Sequence, residues 1–80
     1  MSDNMERFTQ TVSAILGCAP EDVTDKLTPD QLDTWDSLNQ INLIGALEQE
    51  FGVTLVAPDL AEYQSVVKLK ALLREHGVEL

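Results

Sequence analysis

Apolar residues recur at helical spacing in three separate stretches of this 80-residue chain, and a glycine closes each stretch. Residues three or four apart share one face of an α-helix, so Met5, Phe8, Val12, Ile15 and Leu16 predict a first helix packed on one side. Gly17 supplies its stop. Asp3 followed by Glu6 has the spacing of a capping box, with Asp in place of Ser or Thr, and Arg7, Gln10 and Ser13 read as the outer face. A second helix is expected from Ser37, with Ile41, Leu43, Ile44, Leu47 and Phe51 toward the core, Leu38, Asn42, Gly45 and Gln49 outward, and Gly52 at its end. Ser65 caps a last helix that turns Val66, Leu69, Leu72 and Leu73 inward and Lys68, Lys70 and Arg74 outward, and Gly77 closes it.

The connections are as informative. Residues 18–36 hold Pro20, Pro29, six acids and a single base, Lys26. A loop of that length in a small domain carries function or folds on itself. Val23, Leu27 and Leu32 are its candidate anchors to the core, and Thr28-Pro29-Asp30 can open one helical turn with Pro at the first helical position. Residues 53–56 read as an extended connector, and Pro58 starts a short helix through about Glu62. These elements predict an all-α fold in a single domain spanning residues 1–80, a small four-helix bundle of three longer helices and one short third helix.

Charge narrows the partners. Five Lys and Arg against fourteen Asp and Glu give a net charge of −9. Phosphate backbones and anionic lipid repel such a chain, so nucleic-acid and membrane binding are not expected, whereas a basic protein surface is. The N-terminal residues lack the basic and apolar regions of a signal peptide, and no apolar run is long enough to span a bilayer, which makes a cytoplasmic monomer the default expectation. Cys18 is the only cysteine and His76 the only histidine. Cys18 reads as a small half-buried residue, His76 as a solvent-facing one at a helix C-terminus. Neither supports a nucleophile–base relay or a transition-metal site. Asp30, Asp33 and Asp36 lack the ligand order of an EF-hand, so no metal site is expected.

What remains is Asp36-Ser37-Leu38, at the mouth of the second helix after the acidic loop. Taken alone, a Ser in front of an apolar-periodic segment is most often an N-cap. A hydroxyl there also stands at the positive end of a helix dipole, where an attached phosphodiester would be stabilised, and it is within reach of a modifying enzyme. The run Thr34-Trp35-Asp36-Ser37-Leu38-Asn39-Gln40-Ile41-Asn42-Leu43-Ile44-Gly45-Ala46-Leu47-Glu48-Gln49-Glu50-Phe51 resembles the acyl carrier protein family, which has an Asp-Ser-Leu at this place and an Ala-Leu-Glu…Glu-Phe pattern at the end of the same helix. The order of helices and the length match along the whole chain.

The resemblance implies a carrier and not an enzyme. Ser37 would bear phosphopantetheine as a covalent cofactor, transferred from coenzyme A by a phosphopantetheinyl transferase, and Asp36 would help position magnesium and coenzyme A. Acyl-loading and acyl-processing enzymes with basic docking surfaces would read the second helix through Asp36, Leu38, Glu48 and Glu50, with Leu38 as the apolar contact. Trp35 is expected to pack over the junction of loop and helix. The chain departs from carriers of fatty acid synthesis at Asn39 and Asn42, where acids are usual, at Gly45, where Met is frequent, and at Ala57 and Pro58. These departures point to a free-standing specialised carrier serving a dedicated fatty-acid-like, polyketide or related pathway. An aminoacyl or peptidyl carrier of a nonribosomal-type pathway, or an unmodified adaptor with the carrier fold, are the alternatives.

Overall fold

The computed structural model describes residues 3–55 and 64–80. The three amphipathic stretches form α1 (Asp3–Leu16), α2 (Ser37–Phe51) and α3 (Val66–Glu75), and no strand occurs among the described residues. Single 3-10 turns occupy Pro20–Asp22 and Pro29–Gln31, each with its proline at the start, so the helical turn expected near Pro29 is present. Residues 53–55 have no regular structure, as a connector requires. The short helix expected from Pro58 to Glu62 lies outside the described residues, so three helices of the expected four are seen.

One core joins all three helices. Phe8, Val12 and Leu16 of α1 meet Leu43, Ile44 and Leu47 of α2 and Val66, Leu69, Leu72 and Leu73 of α3. Val23, Leu27 and Trp35 insert from the long loop, with Leu32 half-buried beside them. Each expected loop anchor therefore reaches the core. The loop is also fixed by polar bonds. Thr34 Oγ1 donates to the Leu16 carbonyl (2.7 Å), Val66 N–H donates to the Leu27 carbonyl (3.3 Å), and Lys70 Nζ pairs with Asp25 Oδ1 (2.7 Å). At the other end of the bundle, Arg7 Nε pairs with Glu50 Oε2 at 2.6 Å, Arg7 Nη2 donates to the Glu50 carbonyl, and its guanidinium lies 4.8 Å from the centre of the Phe51 ring.

The structure corrects several expectations. Ile41 is 61% exposed, not core, while Gln40 is 2% exposed. The buried stripe of α2 runs Gln40, Leu43, Ile44 and Leu47, with half-buried Phe51 continuing it, and Ile41 falls about 100° around the helix from Gln40. Ser13 is buried and returns its hydroxyl proton to the Gln10 carbonyl (3.0 Å). That local bond lets a small polar residue face the interior. Lys70 is not an outward residue, because its ammonium is drawn down onto Asp25. Asp3 is already inside α1, so Asp3 and Glu6 share the first turn, where carboxylates suit the helix dipole, and do not bracket it as a capping box. His76 is half-buried at the end of α3, with Nδ1 2.9 Å from the Leu72 carbonyl oxygen.

Candidate functional site

Helix α2 begins where the backbone of Asp36 is extended (φ −101°, ψ −176°) and its Oδ1 accepts the Asn39 N–H at 2.8 Å. Asp36 is thus the N-cap. Ser37 is the first helical residue, where the second helix is expected to begin, and the capping role that a Ser taken alone most often fills falls to Asp36. The cap satisfies one of the orphan amides of the first turn and places a carboxylate at the positive helix end. Ser37 is exposed, and no described residue bonds its hydroxyl. Its position is therefore set by its neighbours. On the buried side, Trp35 is 3% exposed and its Nε1 donates to Gln40 Oε1 at 2.8 Å. On the exposed side, Asn39 Nδ2 donates to the Thr34 carbonyl at 2.7 Å, and Asn39 Oδ1 accepts from Asn42 Nδ2 at 3.3 Å.

From its first turn onward, α2 presents an apolar surface. Leu38 is 67% exposed and Ile41 61%. Residues three apart on a helix are neighbours, so the two form one patch, continued by exposed Asn42 and by Gly45, around which a side chain would find open space. The two glutamates expected to meet partners have bonds inside the chain. Glu48 Oε2 accepts the Leu55 N–H at 2.9 Å and so holds the connector after α2, and Glu50 is paired with Arg7. Ile41 was missed as a surface residue because the polar Gln40 takes the core position that hydropathy assigns to its neighbour.

The remaining candidate groups lie elsewhere. Cys18 is half-buried near the end of α1, and burial, followed by the nearby Asp22 carboxylate, pushes its thiol above the ordinary value. The shift disfavours the thiolate, the form that reacts. No cluster of three or more His, Cys, Asp or Glu among the described residues is placed to hold a metal, and no described helix is long and apolar enough to cross a membrane.

An exposed primary hydroxyl at a helix N-terminus, with no acid inside that first turn and the capping carboxylate committed to a backbone amide, is a fitting anchor for a phosphodiester. The family model for the phosphopantetheine attachment site matches residues 6–73 of the chain. No curated protein matches it significantly. The match runs from within α1 to within α3 and takes in α2 and the long loop, and the chain belongs to this family of phosphopantetheine-bearing carrier domains, the family of acyl carrier proteins. Phosphopantetheine is its covalent prosthetic group.

Proposed function

We propose that the protein is a non-catalytic acyl carrier whose arm is attached through Ser37. The observation that carries this reading is the exposed hydroxyl of Ser37 at the start of α2, directly after the capping Asp36, in a chain of the phosphopantetheine-attachment family. In the transfer, Ser37 Oγ attacks the phosphorus on the pantetheine side of the coenzyme A pyrophosphate. The new O–P bond replaces the bond to the bridging oxygen, adenosine bisphosphate leaves, and the serine proton passes to a base on the transferase. Asp36 caps the helix through the Asn39 amide, and its exposed carboxylate would help hold the magnesium that accompanies coenzyme A, which would offset pyrophosphate charge. Once attached, the arm supplies a thiol that holds carboxylic acids as thioesters.

The docking face for the transferase and the acyl-handling enzymes is centred on Leu38 and Ile41, where apolar area is exposed next to Ser37. Glu48 and Glu50 add negative potential at its rim while keeping their bonds to Leu55 and Arg7. Asn39, Asn42 and Gly45 make this face less charged than the net −9 of the chain, which favours a dedicated set of partners over those of general fatty acid synthesis. The test is the intact mass of the protein isolated from its own cell. An arm bearing an acyl unit supports the reading, an aminoacyl load assigns the chain to nonribosomal-type synthesis, and an unmodified mass under growth conditions where its partners are expressed would make it an adaptor.

A further inference from the structure

We propose that Asn39 is a positioning residue for the modification of Ser37, a proposal that rests on Ser37 being the attachment point. Asn39 is the third helical residue of α2, where a Glu or Gln normally reaches back to the N–H of the cap. Its carboxamide reaches further, and Nδ2 donates to the carbonyl of Thr34, two residues before the cap. Thr34 is itself fixed, because its hydroxyl is bonded to the Leu16 carbonyl at the end of α1. The bond from Asn42 Nδ2 to Asn39 Oδ1 orients the carboxamide with its NH2 toward Thr34. Together with the Asp36 cap and the Trp35–Gln40 bond, this clamps residues 34–40 around Ser37.

The chemistry of position 39 then matters in a way that charge alone does not describe. An ionised Asp has only acceptors and would turn its oxygens toward the Thr34 carbonyl, opening the clamp. Phosphoryl transfer depends on in-line placement of the attacking oxygen, and a shift on the order of 1 Å can cost as much as about a hundredfold in rate. Since no described residue holds the Ser37 hydroxyl, the clamp on its backbone is what limits where that oxygen can be.

The experiment measures steady-state transfer from coenzyme A by a phosphopantetheinyl transferase onto the full chain and onto Asn39→Asp, Asn39→Ala and Asn39→Gln, with mass spectrometry as the readout. Amide exchange of each unmodified protein is recorded in parallel. The Asp and Ala variants are expected to lose about tenfold in kcat with KM for the carrier within about twofold, and Gln, which restores the donor, to recover most of the loss. Amides of residues 34–38 should exchange faster in Asn39→Asp while those of α1 and α3 keep their protection. If Asn39→Asp unfolds, Asn39→Ala carries the comparison. An unchanged kcat in the folded variants, a rise in KM alone, or no recovery with Gln overturns the proposal. A wild-type chain that gains no mass overturns the attachment reading beneath it.

Discussion

The indole N–H of Trp35 and the carboxamide oxygen of Gln40 are joined at 2.8 Å in the protein interior, and the bond spans Ser37 from one side of the helix start to the other. A buried donor and acceptor that satisfy each other cost little, and losing the indole removes both that bond and the packing of the larger ring. Trp35→Phe is therefore expected to lower stability by about 1–3 kcal/mol, read from urea unfolding followed by circular dichroism. A change below about 0.5 kcal/mol would show that the bond does not fasten the loop.

The pair of Lys70 and Asp25 ties the acidic loop to α3, and the hydrogen bond and charge of Lys70 hold the Asp25 carboxyl below its ordinary value of 3.8. A depressed folded-state value means that the stabilisation is present above the unfolded value and is lost as pH falls through the folded one. Asp25→Asn should melt lower than wild type at neutral pH, and the difference should shrink progressively below about pH 4. Melting curves across pH check this, and a difference that persists undiminished at the acid end would contradict it.

Salt acts on the same imbalance more broadly. With −9 net charge, and only two of the acids in ion pairs among the described residues, repulsion should oppose folding at low ionic strength. Raising sodium chloride from ~10 to ~150 mM, which shortens the screening length from about 30 to about 8 Å, is expected to raise Tm. A flat or falling Tm would show that the acids are spaced widely enough to escape the cost.

Leu38 and Glu48 should separate docking from folding. Leu38→Ala removes exposed apolar area, so stability should stay within about 0.5 kcal/mol while the cognate enzyme binds about 1–2 kcal/mol more weakly. Ile41→Ala should behave in the same way. Glu48→Ala strands the Leu55 N–H and is expected to cost about 1 kcal/mol of stability with a smaller effect on the enzyme. Paired unfolding and steady-state kinetics distinguish the two patterns, and the reverse assignment would refute this docking face.

The sequence and the structure agree most closely where apolar periodicity and backbone geometry carry the information. The spans ending at Gly17, Gly52 and Gly77 needed only hydropathy and the positive φ that those glycines adopt, 69°, 65° and 90°. The anchors Val23 and Leu27 were legible because few apolar residues occur in an otherwise acidic loop. Polar residues in the interior were not legible. Gln40 is buried for a bond to Trp35 and Ser13 for a bond to its own helix, and each such partner is visible only once the chain is folded. Hydropathy places Ile41 inward because nothing in the sequence marks Gln40 as a core residue. The bonds of Glu48, Glu50 and Lys70 were not legible for a related reason, since their partners Leu55, Arg7 and Asp25 come from other parts of the chain. Asp36-Ser37-Leu38 stood out through its resemblance to a family motif, while the Asn39–Thr34 bond behind it has no sequence signal of its own.

The central claim is that Ser37 accepts the arm. Wild type and Ser37→Ala, incubated side by side with a phosphopantetheinyl transferase and coenzyme A, are compared by intact mass and by circular dichroism. Wild type is expected to gain the mass of one phosphopantetheine, and Ser37→Ala to gain none while keeping the same helical spectrum. The same mass gain in Ser37→Ala, or none in either folded protein, would contradict the claim.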